Sequence, residues 1–142
     1  MGTYLNPGNS GFRRIPGSEY VDKTGLIGLV NRIIGTAKSL TCICRPRRFG
    51  KSYAAQMLCA YYDKTCDSHE LFGGLSIARD DTYEKHLNQY NVIYLDIAGF
   101  KPYTDHYRSI VPFIIDSLKM EILAAEGFFC DQTIEGIRWD YI

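Results

Sequence analysis

An apolar hexapeptide, a basic turn and an amphipathic helical pattern follow one another without a gap between Ser39 and Lys64. Ser39-Leu-Thr-Cys-Ile-Cys44 favours β structure and has the length of a buried strand. From Lys51 to about Lys64, Ala54, Met57, Leu58 and Tyr61 fall on one helical stripe. The turn between them, Arg45-Pro-Arg-Arg-Phe-Gly-Lys-Ser52, ends on the last three residues of the phosphate-loop pattern G-x-x-x-x-G-K-S/T, in the strand-to-helix context that pattern requires. The chemistry follows from the residue types. Gly50 lets the backbone come close to an anion, and successive amide N–H groups surround it. The helix N-terminus adds unpaired donors and the positive end of its dipole. Lys51 would place an ammonium on the β/γ-phosphates, and the Ser52 hydroxyl would be a ligand for Mg²⁺. Arg47, Arg48, Phe49 and Tyr53 complete the expected nucleotide-binding set. Arg45 stands where the pattern has its first glycine. Arg47 and Arg48 also read as solvated loop charges, and the tripeptide as an ordinary basic turn.

The rest of the chain supplies alternating strand and helix signals. Residues 1–21, rich in Gly, Pro, Asn and Ser, read as an extended leader. Leu26, Ile27, Val30, Ile33 and Ile34 recur at helical spacing between Asp22, a capping residue, and Gly35. Leu71, Phe72 and Leu75 pack down a loop around Gly73-Gly74, and Thr82 to Gln89 is a short helix. Asn91-Val-Ile-Tyr-Leu-Asp-Ile97 reads as a second strand. Val111, Ile114, Ile115, Leu118, Ile122 and Ala125 line a helix that starts near Ser109–Ile110, with Pro112 in its first turn, where its missing N–H costs nothing. Strands alternating with helices predict an α/β fold, a three-layer sandwich around a parallel sheet of the phosphate-loop NTPase type. With only two strands the sandwich reads as truncated. Residues 22–142 would form a partial domain whose unpaired sheet edges favour self-association.

Composition removes several classes. Sixteen Lys and Arg balance sixteen Asp and Glu, which argues against a globally basic nucleic-acid binder. No run of about 18 apolar residues exists for a membrane span, and the N-terminus lacks a signal-peptide pattern. Cys42, Cys44, Cys59, Cys66 and Cys130 have no C-x-x-C spacing and read as buried thiols of a reducing cytoplasm. His69, His86 and His106 are too widely spaced for a metal site and read as surface residues. Tyr61-Tyr62 and Tyr103/Tyr107 read as core aromatics.

Arg45-Pro-Arg-Arg-Phe-Gly-Lys-Ser52, with Tyr20-Val-Asp-Lys-Thr24 before it and Leu71-Phe-Gly-Gly-Leu75 after it, resembles the N-terminal half of the AAA-ATPase-like domain. This is a prokaryotic phosphate-loop family often fused to a PD-(D/E)XK nuclease-like domain. The likeness runs from about Phe12 to about Leu123, and the family itself places Arg at the position of Arg45. It implies ATP as ligand, Mg²⁺ as cofactor, and a switch acting on an attached effector that these residues do not encode. It also implies Walker B acids on a later strand reading L-I-D-E-Y-D. The chain contains no such strand, so Asp96 reads as a structural residue, no catalytic residue is assigned, and hydrolysis is expected to be impaired. Asp22 and Lys23 read either as a cap and a solvated lysine or as neighbours of the bound base. Two other functions compete: a nucleic-acid-binding module using Arg45, Arg47, Arg48 and Lys51, and a small-molecule kinase.

Overall fold

The computed structural model describes residues 4–15, 20–97 and 110–124. They divide into two compact units, Met1–Tyr94 and Leu95–Ile142. In the first unit, α1 (Ser10–Arg13), α2 (Gly25–Asn31), α3 (Lys51–Tyr62) and α4 (His69–Phe72) are followed by a 3-10 turn (Ser76–Arg79) and α5 (Tyr83–His86).

The core of this unit gathers around α3, with α1 packed on it and α2 and α5 packed on the 3-10 turn. Ala54, Met57 and Tyr61 of the predicted stripe are buried, and Cys59 and Ala60 widen it. Phe12, Ile27, Phe72, Ile77, Tyr83 and Leu87 close over this face as one cluster. Phe72 stacks on Phe12 at 5.1 Å between ring centres and meets the edge of Tyr61 at 5.4 Å. The Tyr61 hydroxyl, carried into this apolar interior, donates to the Tyr83 carbonyl at 2.7 Å and accepts from Asn31 Nδ2 at 3.2 Å. A buried hydroxyl without such partners would cost free energy. The C-terminal end of α3 is held by Asn88, whose Nδ2 donates to the Asp63 carbonyl at 2.7 Å and to the Ala60 carbonyl at 3.3 Å. These are carbonyls that a helix end leaves without intrahelical donors.

The parallel-sheet sandwich expected from the sequence is not formed. Of the described residues 48% are helical and no sheet is present. Two isolated bridges stand in its place, Leu5 to Ile93 and Asp63 to Tyr90. Ser39–Cys44 is exposed along its whole length, with Leu40 97% accessible. The physical reason is that a strand exists only against a partner that takes up its N–H and C=O groups. Among the described residues no strand pairs with the hexapeptide, and helix side chains fill the core. The part of the second expected strand in this unit, Asn91–Tyr94, bonds instead to the N-terminal arm: Val92 O accepts from Asn6 N at 2.7 Å and Tyr94 N donates to Tyr4 O at 2.8 Å. The sheet edges expected to drive self-association are likewise absent among the described residues.

Other expectations shift for related reasons. Within the segment expected to be extended, Ser10–Arg13 forms a helical turn, and Leu5 and Phe12 are buried. Cys59 is buried, but Cys42 and Cys44 are exposed with the exposed hexapeptide, their sulfurs 3.5 Å apart on one side of it. His86 is buried and stacks on Tyr90, whereas His69 is exposed as expected. Cys130, His106, Tyr103 and Tyr107 lie outside the described residues. In the second unit α6 spans Ile110–Ala124 with Pro112 in its first turn. Ile114, Ile115, Leu118 and Ile122 are half-buried, while Val111 is exposed. Among the described residues no helix is long and apolar enough to cross a membrane.

Candidate functional site

The N-terminus of α3 opens onto an open cleft of about 1280 Å³. Local sequence builds its floor. Gly50 is the residue before the helix and takes φ 75°, ψ 30°, a left-handed conformation that only glycine adopts freely. Arg48 is also left-handed at φ 69°, while Phe49 between them is not. Left-handed residues in a turn are one ingredient of the backbone concavities that bind anions. The first turn of α3 is exposed at Lys51, Ser52 and Tyr53, and burial begins at Ala54. The helix therefore presents its unpaired N–H groups to the cleft and its apolar stripe to the core.

All seven residues expected to bind nucleotide, Arg47 through Tyr53, line this one cleft. Arg14 and Lys23 join them from outside the loop, so five cationic side chains line it (Arg14, Lys23, Arg47, Arg48, Lys51) and no carboxylate does among the described residues. Two of these cations are held on the loop itself. Lys51 Nζ folds back to the Arg45 and Pro46 carbonyls at 2.7 and 2.9 Å. Lys23 Nζ donates to the Phe49 carbonyl at 2.9 Å. The lining also includes the apolar and aromatic side chains Ile15, Tyr20, Val21 and Met57. The Tyr20 hydroxyl contacts Met57 Sδ at 3.7 Å, and burial raises its pKa.

The neighbouring Asp22 does not face the ligand space as the lysine does. Its Oδ1 accepts from the Thr24 N–H and hydroxyl at 2.8 and 2.6 Å, and its Oδ2 from the Ser76 N–H at 2.8 Å. Burial works against its ionisation, but these hydrogen bonds outweigh it and hold its pKa down at about 2. Asp22 thus ties the start of α2 to the 3-10 turn. Lys23 and Arg14 are absent from the set read off the loop. The string Tyr20-Val-Asp-Lys-Thr24 pointed toward the first of them; nothing local marks Arg14.

The family described as Predicted AAA-ATPase matches residues 8–125. The chain belongs to the AAA-ATPase-like family. Neither a curated protein nor a solved structure is similar enough to count as a match. For an AAA-ATPase-like chain, Mg²⁺ is the metal to test against the donor set. Mg²⁺ takes oxygen ligands, keeps several waters and is usually completed by substrate phosphates. Ser52 is suited to give it one hydroxyl beside the phosphates, and no protein carboxylate lines the cleft among the described residues.

Proposed function

We propose that the cleft binds ATP through the loop Arg45–Ser52 and the N-terminus of α3, with Mg²⁺ held by Ser52 and the phosphates, and that this chain hydrolyses ATP slowly or not at all. The observation that carries the reading is the convergence at one helix N-terminus of a left-handed Gly50, the Lys51 ammonium and four further cations around one cleft. The charge balance fits a polyphosphate, since five cations meet a ligand of several negative charges. The apolar lining side chains Ile15, Tyr20 and Val21 suit the other half of a nucleotide, a flat base that needs cover from water. Family membership supports nucleotide use in general. Slow hydrolysis fits the lining, because activating a water calls for a general base or a firmly held metal, and among the described residues no carboxylate lines the cleft. Arg47 and Arg48 then act as phosphate contacts, and Phe49 and Tyr53 shield the mouth. A nucleotide-dependent effect on an attached effector domain belongs to the same proposal.

Titration of the chain with fluorescent ATP in the presence of Mg²⁺, alongside Lys51→Ala, tests the reading. Saturable binding in the wild type, weakened at least about tenfold in Lys51→Ala, is expected from the loss of one charge-assisted hydrogen bond. Equal affinity in both would sink it. Displacement of the probe by single-stranded DNA but not by ATP would show that the basic loop serves nucleic acid instead.

A further inference from the structure

We infer that Lys23, twenty-two or more positions away from any part of the loop consensus, is a second phosphate-binding lysine, and that Lys23 and Lys51 together make the cleft select its ligand by the number of phosphates. The inference rests on the nucleotide reading above and adds to it the property by which ligands are told apart.

The backbone around Lys23 is pinned on both sides. Thr24 is fully buried, and its hydroxyl sits 2.9 Å from Ser76 Oγ while accepting from the Ile77 N–H at 3.2 Å. Asp22, one residue earlier, holds the Ser76 N–H at 2.8 Å. The Lys23 carbonyl accepts from the Leu26 N–H at 3.0 Å, which begins the turn into α2. Between these anchors the Lys23 side chain is exposed and spans the cleft to the Phe49 carbonyl. A lysine ordinarily keeps its ammonium in water on a flexible stem. Here the root of the stem is fixed and its head lies over the loop.

The position of the head is informative. Lys23 Nζ lies 2.8 Å from the point where a Cβ on Gly50 would stand. It therefore covers the residue whose backbone approaches the anion. Lys51 holds the beginning of the loop, at Arg45 and Pro46, and Lys23 holds its end, at Phe49. Neither ammonium is within salt-bridge distance of a carboxylate among the described residues. Two ammonium groups resting on neutral carbonyls keep their charge available. A phosphate oxygen, being anionic, is the stronger acceptor and takes both over. A ligand with one phosphate can satisfy one of them at full strength. Two or three phosphates can engage both, so Lys23 contributes more as the chain lengthens.

The experiment is displacement of fluorescent ATP by ATP, ADP and AMP from the wild type, Lys23→Gln, Lys23→Arg and Lys51→Ala, each checked for fold by circular dichroism. In Lys23→Gln, ATP affinity is expected to fall by about tenfold or more, the range of a lost charge-assisted hydrogen bond. AMP affinity should change by less than about twofold, and Lys23→Arg should recover most of the loss. A lysine that only shapes the loop would weaken all three ligands alike. That outcome, or an unchanged ATP affinity while Lys51→Ala is impaired, overturns the inference and leaves nucleotide binding intact. A folded wild type that binds none of the three overturns the reading beneath it as well.

Discussion

Replacing Phe12 by alanine tests whether the N-terminal arm belongs to the domain. The ring is 7% exposed, stacked on Phe72 at 5.1 Å and set edge-on to Tyr20 at 5.8 Å. Aromatic side chains bury roughly 150–250 Å², and truncation to alanine removes about 100 Å² of that. At about 25 cal/mol per Å² the transfer loss is about 2.5 kcal/mol, and the lost ring pair adds about 0.5–1 kcal/mol. The sum, about 3 kcal/mol, lies at the low end of the roughly 3–5 kcal/mol seen for such truncations. The low end is expected because α1 has four residues and can settle into the gap. With a urea slope of about 2 kcal/mol/M, the midpoint falls by about 1.5 M at unchanged slope, read by far-UV circular dichroism. The cleft should suffer too, since Gly11, Arg14 and Ile15 line it beside Phe12. A midpoint shift under about 0.5 M would refute the reasoning, for it would mean that the arm adds little to the core.

Two further outcomes follow from the site. Asp22 has a folded pKa of about 2 against an ordinary value of 3.8, so its contribution is fully present above about 4 and is lost as pH falls toward 2. Because the carboxylate is exposed, screening limits that contribution to under about 1 kcal/mol. The stability gap between wild type and Asp22→Asn should therefore close across that interval, and a gap independent of pH would exclude the linkage. Gly50→Ala forces alanine into φ +75° and puts its Cβ 2.8 Å from Lys23 Nζ. A loss of about 1 kcal/mol in urea unfolding is expected, along with weaker ATP binding as Lys23 is pushed away. Unchanged ATP affinity would mean that the loop backbone does not approach the ligand.

The helices were legible because their signal is local. Ala54, Met57 and Tyr61 announce the buried face of α3, and Pro112 marks the first turn of α6. The strands were not legible in the same sense. Ser39–Cys44 has a β-favouring composition, but composition does not supply the neighbour that would satisfy its backbone. The reading of Cys42 and Cys44 as buried thiols failed with it, since their burial depended on that neighbour. His86 was misplaced because a lone histidine on a short polar helix gives no sign of the Tyr90 ring that covers it.

The loop before α3 shows the same division. Gly-Lys-Ser before a helical stripe is a short-range arrangement, since one glycine, one ammonium and one helix start are positioned by bonds between adjacent residues. The seven consecutive residues Arg47–Tyr53 could therefore be named from the sequence, and they line one cleft. Only the tertiary structure brought Arg14 and Lys23 to that cleft and Phe12 against Phe72. Lys23 reaches Phe49 across 26 positions of chain. That contact depends on Asp22 and Thr24 gripping Ser76, more than fifty positions further on. Local sequence determines which segments can coil and which groups can meet a phosphate. Which distant groups stand beside them is decided by how the apolar faces close over α3, and that is a property of the whole packed unit.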